Sequence, residues 1–493
     1  MLLALIALAA FALRLSLTLS WDGYLGVDGG AYLLSRNAVL GDEPTSAAFP
    51  RPPLAPGWLL VPFTSWLGDD AGYKVWQSAF SLLPLIPCYL LTRRFASHNA
   101  AITACLFLSV DPFQAMLLVN GAVPLMGFTL IGLAVWATFK LWEGWSWQAV
   151  ITLILSIGLT PWVHQSSAAL LIMLLPVALV ALMWHNRKAA AVGAEKEGQQ
   201  WRRLAPPYLL GGAIAFTALP WYLGSLPGVS SFRYPGPLIY FVSLGDYAIF
   251  FAGLALPLAW VLYRTGETPQ HRVFGWLIFA THIITLFLSY DEPILNIFYR
   301  ARHLLALWLY PGIAWVLWRY WASIGDKFMK MGLAMSFASL FILHIWIFYD
   351  QARTSQMVSP ATAHALEYLE ATNPEARIAT NAMGTSYWIA ALNQVPSPSL
   401  FTARPPEAFQ QADADLRCLL GWVTDCQPVE AYRRLGVEYI LIDERFPWHH
   451  RQTARNYGAP EHQWEVTART PWLQRVFRQS QTVVYEVAYA KAF

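Results

Sequence analysis

Apolar residues in this chain arrive in long blocks separated by short polar stretches. A helix needs about 20 apolar residues to cross a bilayer. Segments 1–20, 72–92, 99–117, 123–140, 147–162, 165–184, 205–223, 246–264, 273–290, 303–319 and 331–349 meet that length closely enough to predict about eleven spans. The least distinct boundary is Thr160-Pro161-Trp162-Val163-His164-Gln165, where one long kinked helix plus a re-entrant piece is the alternative. From about residue 350 the pattern shortens. Residues 361–371 and 429–435 have helical periodicity, and residues 377–381, 437–443 and 482–487 read as strands. The expected fold is an α-helical polytopic membrane bundle over residues 1–349, followed by an extracytoplasmic α/β domain over residues 350–493.

Composition agrees with this division. Of 493 residues, 56% are hydrophobic and 13% charged, against about 25% charged in soluble domains. The 24 Trp and 22 Tyr suit aromatic belts at membrane interfaces. A net charge of +3, from 33 basic and 30 acidic residues, gives no reason to expect nucleic acid as a partner. With the N-terminus inside, the inner loops hold Arg93, Arg94, Lys140, Arg187, Lys188, Lys196, Arg202, Arg203, Arg264, Arg272, Arg319, Lys327 and Lys330. The outer loops of the bundle hold Arg36, Arg51, Lys74, Arg233, Arg300 and Arg302. That bias obeys the positive-inside rule. It locates the chain in the cell membrane, with residues 21–57 and the C-terminal domain on the outer face. The first segment lacks a basic start and a clear cleavage site, so it reads as an uncleaved span, with Arg14 facing the bundle or reaching to the interface. Cys88 and Cys105 fall in apolar spans. Cys418 and Cys426 fall in the outer domain, where a disulfide is expected, with two buried free thiols as the alternative.

Several polar residues beside the spans are candidates for chemistry. Asp28 precedes Gly29-Gly30, where backbone and ligand can approach closely. It could be a general base for an acceptor hydroxyl, or the N-cap of a short helix. Arg51 stands among prolines in Phe49-Pro50-Arg51-Pro52-Pro53-Leu54, held for a phosphate or snorkelling to head groups. A second cluster joins Asp291 and Glu292 to Arg300, Arg302 and His303. It could bind phosphate and acceptor, or be a salt-bridge cluster at a helix entry. His164 could donate to a phosphate or sugar, or be hydrogen-bonded structure. Tyr387-Trp388 could stack on a sugar or be core. Asp111, in Val110-Asp111-Pro112, reads as a helix boundary. No zinc spacing, nucleophile elbow or phosphate-binding glycine loop is present, so no cofactor is expected and a divalent cation has no support.

The stretch from Asp28 to Leu54 resembles the first outer loop of the GT-C superfamily of polyprenyl-phosphate-sugar-dependent glycosyltransferases, nearest to the protein O-mannosyltransferase and lipid A aminoarabinose-transferase type. Asp28, Tyr32, Arg51, Pro52, Pro53 and Leu54 match its pattern. The resemblance implies that Asp28 is the catalytic base. It implies that Arg51 contacts the lipid-linked phosphate and makes Tyr32 a candidate for substrate contact; Arg300 and Arg302, from the second cluster, are further phosphate candidates on their own chemistry. It implies inverting transfer of a sugar from polyprenyl phosphate to a hydroxyl of a lipid, glycan or protein acceptor. Two positions depart from the pattern. Gly29 replaces the second acid of a pair, and Asn120-Gly121-Ala122-Val123-Pro124 lacks a further acid. These departures keep open a non-catalytic GT-C subunit that binds a polyprenyl lipid or scaffolds a complex. A transporter is a third reading, against which stand the outer domain and the lack of visible repeats.

Overall fold

The computed structural model describes residues 1–25, 29–41, 54–189, 194–218, 246–285, 301–354, 358–380, 388–389, 391–392, 411, 414–415, 418–420, 425–443, 470–480 and 482–488. The chain divides into two units. Unit 1 is Met1–Leu17, Gln77–Leu223 and Phe232–Thr354; unit 2 is Thr18–Trp76, Gly224–Ser231 and Ser355–Phe493.

Helices α1 to α11 are Leu2–Leu19, Gly29–Leu40, Leu54–Leu67, Asp69–Phe80, Leu85–Phe95, His98–Ser109, Pro112–Asn120, Val123–Glu143, Trp147–Val163, Gln165–Ala189 and Ala194–Phe216. Asp246–Thr265, Pro269–Ile283, Ala301–Ser323 and Lys327–Thr354 follow. Among the described residues, five helices are long and apolar enough to cross a membrane, and two shorter ones are apolar. Two expected spans are interrupted. Segment 72–92 has turns at residues 81–84, before and at Pro84. Segment 99–117 breaks at Val110-Asp111, because the residue before a proline disfavours helix. The stretch at residues 160–165 resolves into two helices, with His164 extended between them.

Unit 1 is packed through small residues. A Cβ on Gly158 of α9 would lie 2.8 Å from Ile214 of α11, and one on Gly211 would lie 2.9 Å from Ile157. Such close approach is how helices associate where water gives no hydrophobic drive. Several of the polar groups that remain inside meet around Arg14 and Asp111. Arg14 is fully buried and turns into the bundle. Its Nη1 donates to Ser81 O at 2.6 Å and Ser81 Oγ at 2.7 Å, and its Nη2 donates to Ser109 O at 2.9 Å. Its guanidinium thus closes the carbonyl ends left open by both helix breaks. Asp111 Oδ2 accepts from Gln114 N at 3.0 Å and caps α7, while Oδ1 accepts from Tyr310 Oη at 2.7 Å. Away from this network, Glu143 pairs with Arg94 and accepts from Gln270 at 2.6 Å. Arg93, Lys140, Arg264 and Arg319 each lie over the ring four residues earlier: Tyr89, Trp136, Trp260 and Trp315. All four are cations that the charge bias assigns to the inner face.

Unit 2 contains a four-stranded sheet in the order β1-β2-β4-β3. The strands are β1 Ile378–Thr380, β2 Tyr439–Asp443, β3 Leu473–Gln479 and β4 Thr482–Val487. β1 runs parallel to β2, and β4 is antiparallel to both β2 and β3. Helices Pro360–Thr372 and Pro428–Leu435 belong to the same unit. Thr362 Oγ1 meets Thr482 Oγ1 at 3.0 Å, tying the first of these helices to β4. Cys418 and Cys426 form a disulfide (S–S 2.06 Å), with Cys418 in the sheet's hydrophobic core. Opening a loop this short, with a sequence separation of 8, costs about 2–3 kcal/mol by loop entropy. Cys418→Ser/Cys426→Ser is expected to lower the denaturant midpoint of unit 2 accordingly. An unfolding curve unchanged by either the substitutions or a reductant would refute this.

Candidate active site around Gly29

Helix α2 carries the sequence Gly-Gly-Ala-Tyr-Leu-Leu-Ser-Arg-Asn-Ala-Val-Leu and ends at Gly41, whose φ of +89° suits glycine. Its first residue follows Asp28 directly in the chain. Gly29, Gly30, Tyr32, Leu33, Leu34, Ser35 and Asn37 are buried, so α2 is gripped on several sides. On one side, α3 meets it backbone to backbone. A Cβ on Gly57 would sit 2.5 Å from the Ser35 carbonyl carbon and oxygen. The sequence shows no periodicity that reveals α3, because its apolar residues run all round the helix.

Polar groups fix the far end of α2. Arg36 makes a two-pronged ion pair with Asp69, its Nη2 lying 3.0 Å from Oδ2. Asn37 Nδ2 donates to Ala391 O at 3.1 Å. On α4, buried Lys74 donates to Asp70 Oδ2 at 2.6 Å and to Trp21 O at 2.9 Å. Trp21 Nε1 donates to Val358 O at 3.1 Å. Sequence reasoning counted Arg36 and Lys74 only as outer-loop cations. Their partners Asp69 and Asp70 were the signal that could have marked them as structural.

Aromatic rings fix the near end of α2. Trp388 stacks on Tyr24 with centroids 4.4 Å apart, and meets Tyr73 edge-on at 5.9 Å. Tyr73 and Tyr32 both flank Trp76. Burial, reinforced by the carboxylates of Glu367, Asp70, Glu370 and Asp69, pushes the Tyr24 phenol up to about 12. It therefore stays neutral at physiological pH and is no candidate base. A Cβ on Gly29 would lie 2.6 Å from Trp388 Cζ2 and 3.1 Å from the Tyr73 ring.

The other expected site residues fall as follows. Asp28, Arg51, Asp291, Glu292 and Arg300 lie outside the described residues. Arg302 is in the first turn of the Ala301–Ser323 helix, and only its backbone is described. His303, in the same turn, is buried. Tyr32 is buried beside Trp76 in unit 2, whereas His164 and His303 belong to unit 1. His164 precedes α10 and caps it: its Nδ1 accepts from Ser167 N at 3.2 Å and meets Ser167 Oγ at 2.8 Å. His164→Ala is expected to cost about 1 kcal/mol through loss of this cap, and His164→Asn to restore most of it. Equal thermal stability of all three proteins would sink the capping role. Trp388 is fully buried among aromatic rings, as core, and Tyr387 lies outside the described residues. No group of three or more His, Cys, Asp or Glu side chains able to hold a metal ion occurs among the described residues.

No family model matches the chain, and no curated protein matches it. Solved structures do. ArnT from Cupriavidus metallidurans bound to undecaprenyl phosphate aligns with 100% of this chain and 98% of its own, at 14% identity and a TM-score of 0.58. The oligosaccharyltransferase AglB from Archaeoglobus fulgidus, in complex with an inhibitory peptide and a dolichol-phosphate, aligns with 99% of this chain and 74% of its own, at 13% identity and a TM-score of 0.57. The arabinofuranosyltransferase AftD from Mycobacteria aligns with 98% of this chain and 40% of its own, at 14% identity and a TM-score of 0.59. The chain has the GT-C fold. At these identities the likeness is one of fold. The first-loop resemblance expects a second acid at position 29, where this chain has glycine. A carboxylate side chain there would run into Trp388 and Tyr73, so the glycine is required by the packing around it.

Proposed function

We propose that this chain is an integral membrane glycosyltransferase that takes a sugar from a polyprenyl-phosphate donor. Residues 21–57 supply the catalytic loop and residues 350–493 an extracytoplasmic domain. The observation that carries this reading is the alignment along nearly all of both chains with ArnT, a protein solved with undecaprenyl phosphate bound. The match of Asp28, Tyr32, Arg51, Pro52, Pro53 and Leu54 to the GT-C first-loop pattern supports it.

In the proposed reaction the Asp28 carboxylate takes the proton of the acceptor hydroxyl. The resulting oxygen attacks the anomeric carbon, and the bond from that carbon to the phosphate oxygen breaks. Polyprenyl phosphate leaves with its charge held by Arg51, Arg300 and Arg302, whose planar donor forks suit phosphate oxygens. A single displacement inverts the anomeric centre. Tyr32, His164, Asp291, Glu292 and His303 remain candidates for substrate contact, and no cofactor enters the scheme. The acceptor is a lipid, glycan or protein hydroxyl.

The packing at Gly29 favours a second reading, a GT-C subunit that binds a polyprenyl lipid without catalysis, because it bars the second carboxylate of the pair. Mass spectrometry of lipid-linked and envelope glycans, from membranes with and without the protein, separates the two. A missing glycosylated product with accumulated polyprenyl-phosphate sugar supports the enzyme. An identical product profile with retained undecaprenyl-phosphate binding supports the subunit.

A further inference from the structure

Helix α3 has 14 residues, and none of them is charged. On one side Gly57, Leu60 and Thr64 are buried. Gly57 meets the backbone of α2 at Ser35. Phe63 meets the backbone of α4 at Gly72, where a Cβ would lie 2.6 Å from the Phe63 carbonyl oxygen. The other side is open. Trp58, Leu59, Pro62 and Trp66 are exposed and fall within about 100° of one another at 3.6 residues per turn. Trp58 is 64% exposed and Trp66 91%. An apolar face with two indoles and no charge is costly to leave in water.

The neighbouring chain tells what covers this face. Leu2–Leu19 and Asp69–Phe95 are both long and apolar enough to cross a membrane. Gly68 alone separates α3 from the second of these, and the Gly72 contact packs the end of α3 on its first turn. Lys74 Nζ donates to Trp21 O, so the end of α1 and the start of α4 meet. The end of α3 is thereby tied to the rim of a span, at a bilayer surface. Its own length, about 21 Å at the helical rise, falls short of the roughly 30 Å hydrocarbon core, so α3 does not cross. We infer that α3 is an interfacial helix whose face of Trp58, Leu59, Pro62 and Trp66 rests in the lipid of the leaflet where α1 ends and α4 begins. The partner is the lipid surface itself. Tryptophan belongs at that depth, and the packing of α2 and α4 on the opposite side does what a polar face does in a free interfacial helix. The backbone contact at Gly57 brings α2 to the same surface. None of this depends on the proposed reaction.

The test uses the full-length protein in phosphatidylcholine nanodiscs, with a nitroxide label on Trp58→Cys or Trp66→Cys. Cys88 and Cys105 are buried and Cys418 is paired with Cys426, so the label goes to the introduced thiol. Ile342→Cys, exposed on the Lys327–Asp350 span, is the hydrocarbon reference, and Arg478→Cys, exposed on β3, is the aqueous one. Collisions with oxygen and with a water-soluble nickel complex report depth. Labels at positions 58 and 66 should read about 5–10 Å below the lipid phosphates. The depth should be the same when phosphatidylglycerol is added, because α3 has no charge. Where a tryptophan variant fails to fold, Ser65→Cys, exposed at the edge of the same face, takes its place. Nickel access equal to that at position 478 would put the face in water and overturn the inference. So would shielding from both reagents, which means a protein cover such as a second copy, and so would insertion only with phosphatidylglycerol, which means that charge elsewhere holds the helix.

Discussion

Asparagine in place of Asp28 is expected to lower sugar transfer by about 10²–10⁴-fold, the range a positioned general base contributes. The substitution keeps the size of the side chain and its ability to accept hydrogen bonds. It removes the negative charge and, with it, the capacity to take up a proton. Helix α2 is held by Arg36, Asn37, Tyr32 and the Gly29 contact, so the variant should insert and fold as the wild type does, and should keep whatever affinity the wild type has for the proposed polyprenyl-phosphate donor. The deciding measurement is turnover beside affinity. A loss of turnover at constant affinity marks a group used in the transition state. A matched loss of affinity would instead make Asp28 a binding residue, and wild-type turnover would remove it from the mechanism.

The second large effect concerns stability. Arg14→Met is expected to destabilise unit 1 by about 3–5 kcal/mol, the cost of breaking a buried charge interaction on one side. Arg14 is fully buried, and Asp111 is the opposite charge acting on it. Methionine fills much of the volume but leaves the carbonyls of Ser81 and Ser109 without this donor. It also removes a positive charge from the surroundings of buried Asp111, which keeps its bonds from Gln114 N and Tyr310 Oη. Asp111→Asn in the same chain should recover at least about 1 kcal/mol, since coupled neighbours are non-additive. Thermal unfolding of the two single variants and the double variant in one detergent checks this. Losses that simply add would show that the two groups do not act on each other.

Much of the fold was legible in the sequence because its governing signal is coarse. Blocks of about 20 apolar residues announce helices whatever their neighbours do, and each expected span carries a described helix over most of its length. The helix of residues 429–435 was legible from its amphipathic pattern between Pro428 and Gly436, and the strands of residues 437–443 and 482–487 from their runs of β-branched and aromatic residues. β3 was not. Its sequence, Leu-Gln-Arg-Val-Phe-Arg-Gln, is that of a charged edge strand, and the pairing with β4 that makes it a strand is not written in its own residues. The site shows the same limit. Asp28 and Arg51 stand out locally as polar residues among glycines and prolines. The reason for Gly29 lies at Trp388, far along the chain, in a residue that alone reads more readily as core than as a sugar platform. A lone sequence records which residues are unusual but not which distant ones they meet.

The hydrogen bond from Asn37 to Ala391 spans 354 residues of chain, and that from Trp21 to Val358 spans 337. At about 5–20 residues per second, the ribosome needs roughly 20–70 s to bridge the first of these separations. The earliest-made loop therefore waits through the synthesis of nearly the whole bundle before its last contacts exist. A chain halted before residue 388 would carry helix α2 and still lack Trp388 and Ala391, which pack on it. Full packing of α2 then reports completion of synthesis.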